Sequence, residues 1–185
     1  MTQMMQPLRS RLARFWRGDE GAVTLEFVLV MPFLFWAFMA TYVFFDGYRQ
    51  SSLNLKAANT IGDVLSRETN GVNDAYIDSM HEMLKLMVRA ETELTLRVSV
   101  LRWDADDERY YVDWSTVRNR ETALDDDMVQ DIAHRLPAMP DGDRVILVET
   151  SNRFVPLLNV GLGEQQLTNF VYTRPRFAPR VAWIS

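Results

Sequence analysis

The chain has 185 residues, 48% of them hydrophobic, and a formal charge of −5; that suffices for one packed domain beside a membrane segment and falls short of two comfortable cores. The charge is uneven: Arg9, Arg11, Arg14 and Arg17 precede residue 21 against Asp19 and Glu20, whereas beyond residue 45 there are 16 basic and 22 acidic residues. Such an acidic body repels a polyanion and argues against nucleic-acid binding, and the lack of cysteine removes disulfides, thiolate nucleophiles and cysteine metal sites.

Residues 27–45 read FVLVMPFLFWAFMATYVFF, with no charge. As a helix this run spans about 28 Å, close to the hydrocarbon thickness of a bilayer. A buried globular helix of that kind would find no solvent face in a small domain. A cleaved secretory signal fits poorly, because the run exceeds the usual apolar core and Phe38 stands where a small residue is needed before Ala40. The expectation is a single uncleaved membrane helix over 22–45. The arginines before it place the N-terminus in the cytoplasm and residues 46–185 outside, which in a bacterium means an inner-membrane protein with a periplasmic domain.

Two residues depart from a plain anchor. Glu26 sits at the edge of the run, where it either snorkels to the headgroups or awaits a cationic partner. Pro32 lacks an N–H and its ring meets the carbonyl of Val28, so a kink or loosening is expected there.

The segment Gly21-Ala-Val-Thr-Leu-Glu26-Phe27 ahead of an apolar helix resembles the processing site of type IV pilins and pseudopilins. More closely, residues 15–33 resemble the opening of TadE-like proteins, minor pseudopilins of the tight-adherence (Flp) pilus machinery. The resemblance covers about 25 residues, with an echo in Ala57-Ala58 and Asp63 to Arg67, and leaves open a TadE, TadF or TadG-type role. It implies a basic leader over 1–21, cleavage by a prepilin-type peptidase between Gly21 and Ala22, and an acidic residue, Glu26, fifth in the mature chain. The freed α-amino group, with an ordinary pKa of about 8, would be cationic and able to pair with Glu26 of a neighbouring subunit. Implied partners are the inner membrane, other pseudopilins and pilus assembly proteins. An uncleaved membrane-tethered sensor or adaptor domain is the rival reading.

Beyond the membrane run, Leu53, Ala57, Ile61, Val64 and Leu65 form one stripe of a helix that continues the anchor and ends before Thr69-Asn70-Gly71. Asn73 caps a second helix with Ile77, Met80, Leu84, Met87 and Val88 on its buried side. Leu94, Leu96, Val98 and Val100 alternate in a strand, and after the polar turn 104–108 Tyr110, Val112 and Trp114 alternate in its hairpin partner. A third helix starts at Asp125-Asp126-Asp127, buries Met128, Val129, Ile132 and Leu136, and stops at Pro137. Residues 145–148 suit a central strand and 166–172 a last one, before a proline-broken tail. The sum is α+β: the long N-terminal helix, two further helices and an antiparallel sheet of about four strands, as in a pilin-like domain.

No catalytic set is legible. His81 and His134 lack metal-ligand spacing, the acidic clusters 104–108 and 125–127 lack the glycine and distal glutamate of a calcium loop, and Gly161-Leu-Gly163 is too sparse to cradle phosphate. Arg174, Arg176 and Arg180 form a small basic patch of the kind that serves solubility. The expectation is a structural or assembly protein with no metal, no cofactor, no small-molecule substrate and no enzymatic activity.

Overall fold

The computed structural model describes residues 19–89, 92–120 and 122–184. Helix α1, Asp19–Ser66, has 48 residues and runs through Pro32 without a break. Met1–Phe45 with Leu157–Leu162 form one compact unit, and Asp46–Pro156 with Gly163–Ser185 form a second.

In the second unit, helix α2 (Asp74–Val88) is followed by strands β1 (Thr95–Asp104) and β2 (Arg109–Arg118), helix α3 (Asp126–Ile132), and strands β3 (Arg144–Phe154) and β4 (Gln165–Thr173). The sheet order is β2-β1-β3-β4, antiparallel throughout. This is the α+β architecture expected, with four strands and the central position of residues 145–148 as read. Local chemistry sets the ends: the Asn73 side chain accepts the Tyr76 N–H to start α2, and Asp125 accepts the Met128 N–H to start α3. Arg89 closes α2 in the left-handed region at φ 51°, its N–H donating to the Lys85 carbonyl.

Two apolar clusters lie on opposite faces of the sheet. On one face Leu96, Val98, Val100, Ile146 and Val148 meet Ala57, Ala58, Ile61 and Leu65 of α1 and Ile77, Leu84 and Val88 of α2. The second face packs Leu101, Tyr110, Val145 and Leu147 against Val129 of α3, with Leu124 and Met139. Residues 145–148 are therefore buried on both sides and contribute roughly 1.5–3 kcal/mol for each fully buried aliphatic side chain.

Two expectations need correction. The buried side of α1 includes Asn54 and Ala58, whereas Leu53 and Val64 are only half-buried; Asn54 Nδ2 donates to Asn152 Oδ1 at 2.6 Å, while among the described residues its own Oδ1 has no hydrogen-bond partner. In β2, Trp114 does not share a face with Tyr110 and Val112. The pairing steps from Val100↔Trp114 to Leu101↔Val112, so Asp113 is an extra, bulged residue that sends Trp114 to the α1 side.

One buried polar pair crosses the sheet. Arg97 of β1 lies directly opposite Glu149 of β3, donating from Nε at 2.5 Å and Nη2 at 2.8 Å to the two carboxylate oxygens. Their side chains are only 4% and 12% exposed.

The tail returns to the domain. Val72 donates to the Ala182 carbonyl at 2.8 Å, Ile184 donates to Val72 at 2.9 Å, and Trp114 Nε1 donates to the Val181 carbonyl at 2.7 Å. Gly71 permits this approach: a Cβ there would stand 2.4 Å from Ile184 Cγ2 and 3.1 Å from the Ala182 carbonyl oxygen. Gly71→Ala is expected to detach residues 181–184 and to cost about 1–3 kcal/mol, the range for forced overpacking. Chemical denaturation together with faster amide exchange at Val72 and Ile184 would check it; unchanged exchange at both would refute the clash.

Candidate functional site

The candidate site is the start of α1. Gly21 and Ala22 fall in its first turns, while Arg9, Arg11, Arg14 and Arg17 lie outside the described residues. Glu26 is on the fully exposed stretch that begins at Val23, flanked by Leu25 and Phe27, themselves exposed. Among the described residues no cation pairs with it. It is the one charged residue between Val23 and Phe45.

The helix around it is apolar and bare. Val28, Leu29, Phe33, Phe35, Trp36 and Phe38 are all exposed, and only 6% of the most apolar window of eighteen residues is buried. A core helix of a soluble domain would be mostly covered. This one is long and apolar enough to cross a membrane. Nearer its outer end a stripe is covered: Ala37 and Ala40 are half-buried and Val43 is buried, at helical spacing.

The other sequence candidates are scattered. His81 is buried on α2, its Nε2 2.9 Å from the Leu94 carbonyl, and His134 is exposed on the short turn after α3. Asp104 accepts the N–H groups of Asp106 and Asp107 and a 2.9 Å bond from Arg102; the Arg102 bond first, then the backbone bonds, hold its carboxyl below the usual range. Tyr110, whose pKa is raised mainly by burial, donates to the Pro137 carbonyl. Arg174 and Arg176 are each 3.5 Å from an aspartate, Asp143 and Asp63, so the basic patch is not a cluster of free cations. A depression of about 310 Å³ is lined by Lys85, Thr92, Glu93, Leu94 and Asn119, and Lys85 pairs with Glu82 at 2.8 Å. Among the described residues no group of three or more His, Asp or Glu side chains could hold a metal.

Reading the sequence for motifs missed one feature, the apolar connection between β3 and β4. From residue 154 to 163 it carries no charge but includes Val155, Leu157, Leu158, Val160 and Leu162; a count of charge-free residues would have found it. No protein-family model matches the chain, and no curated protein matches it.

Proposed function

We propose that this protein is a membrane-anchored, pseudopilin-like assembly component of a tight-adherence (Flp) pilus or a related secretion apparatus, of the TadE-like kind. The observation that carries the reading is Glu26, a carboxylate without an ion-pair partner among the described residues, alone on the otherwise uncharged run 21–45 of α1 and fifth in the chain counted from Ala22. Cleavage after Gly21 leaves a cationic chain end at Ala22. That amine meets Glu26 of a sister or partner subunit within the bilayer, where low dielectric strengthens the attraction and desolvation offsets part of it. The contact fixes register between helices, and the domain formed by 46–185 faces the periplasm and engages other assembly proteins.

Intact mass of the protein from membranes, with and without a prepilin-type peptidase, tests the first step. The expected product begins at Ala22. A chain that keeps residues 1–21 beside correctly trimmed pilins leaves the tethered sensor or adaptor instead. Glu26→Gln is expected to abolish capture of partner subunits while the domain unfolds at the wild-type denaturant concentration; normal capture would remove Glu26 from assembly.

A further inference from the structure

The connection between β3 and β4 has an arrangement that suits a bilayer surface. Its neck is closed by Arg153 and Glu164, paired at 3.2 Å, and every residue from 154 to 163 between them is uncharged. Leu157 is 79% exposed, Val155 48% and Leu158 42%. Three aliphatic side chains held in water within four residues form an exposed apolar tip of the kind that marks a contact surface. Leu157–Leu162 also belong to the same compact unit as the apolar part of α1, whereas the strands on either side belong to the other. On α1 the covered stripe Ala37, Ala40 and Val43 lies within the last turns before Asp46, where the uncharged run ends. At 1.5 Å per residue, this stripe lies from about 4.5 to 13.5 Å inside Asp46.

We infer that residues 155–162 form a second membrane contact, dipping into the lipid interface beside the outer end of α1. This rests on the reading of α1 as a membrane helix. The depth is interfacial because irregular backbone is not tolerated in the hydrocarbon centre. At the headgroup boundary its polar groups still reach water, and Asn159 Oδ1 already accepts the Gly161 N–H at 3.4 Å. Leu157 and Leu158 enter the acyl region while the Arg153–Glu164 pair stays among the headgroups, as in other interfacial anchors.

The chain has no native cysteine, so single-cysteine variants of the full-length protein report one position each. Leu157→Cys, Phe38→Cys and Asp106→Cys are labelled with an environment-sensitive fluorophore and reconstituted in phosphatidylethanolamine/phosphatidylglycerol vesicles carrying shallow acyl-chain quenchers. The expected result is blue-shifted, quenched emission at positions 157 and 38 and water-like emission at 106. Lipid-like emission at 38 with water-like emission at 157 overturns the loop contact and leaves the membrane helix standing. Blue-shifted emission at 157 that the lipid quencher does not reach places the loop against protein and also overturns it. Water-like emission at 38 removes the membrane helix and the loop contact together.

Discussion

Replacing Glu149 by Leu is expected to lower the unfolding free energy of the domain by about 3–5 kcal/mol, the range for removing one member of a buried ion pair. The loss comes from stranding Arg97. Its guanidinium is always charged, its side chain is 4% exposed, and among the described residues its Nη1 atom already lacks a hydrogen-bond partner. With the carboxylate gone, two more donors lose their acceptors in a place that water does not reach. Total stabilities of 5–15 kcal/mol make this a large fraction of the whole. Arg97→Met combined with Glu149→Leu should recover most of the loss, since an apolar pair of similar volume carries no desolvation cost. Urea unfolding of the detergent-solubilised chain, comparing midpoints at constant slope, measures both. A Glu149→Leu variant within about 1 kcal/mol of wild type would show that the pair is solvated and worth no more than a surface bridge.

Ile61→Ala and Phe38→Ala should separate the two halves of α1. Ile61 is fully buried among Ala57, Ala58 and Leu65 against the strands, and truncating it is expected to cost about 2–5 kcal/mol through lost burial and the cavity left behind. Phe38 is the larger side chain but is 68% exposed. Its truncation should leave the unfolding midpoint unchanged, while reducing the apolar area available to lipid. Unfolding of both variants followed by near-ultraviolet circular dichroism decides it. A comparable loss from Phe38→Ala would mean that the aromatic face packs on protein, and the case for a lipid-facing helix would fall with it.

Much of the fold was legible because its elements are specified by neighbouring residues. Asn73 and Asp125 announce helix starts, and the aliphatic run 145–148 could only be a strand covered on both sides, whereas α3 ends at Ile132 and passes into a 3-10 turn over Ala133–Arg135, short of the stop expected at Pro137. What escaped depends on residues distant in sequence. Arg97 sits on the polar side of an alternating strand and reads as solvent-facing until β3 supplies Glu149 opposite. The tail 181–184 contains no strand signal of its own and is fixed by Val72 and Trp114. Asp113 gives no local warning that the strand will bulge there and reverse the side on which Trp114 emerges. At the candidate site the order is inverted. Gly21, Ala22 and Glu26 are conspicuous as a motif, whereas the geometry adds the bareness of the surrounding helix; in the proposed assembly, the group that answers Glu26 belongs to another molecule.

The cross-sheet pair also bears on how the chain avoids the wrong structure. Strands β1 and β3 come from separate hairpins, and both are rich in aliphatic side chains that would tolerate sliding. A slip of two residues keeps every side chain on its proper side, so packing alone penalises it weakly. It would, however, set Arg97 against Leu147 or Ser151 in place of Glu149, leaving two opposite charges enclosed and apart. The bridge thus acts as a key that admits one alignment of the two hairpins, and its chief value lies in what it forbids.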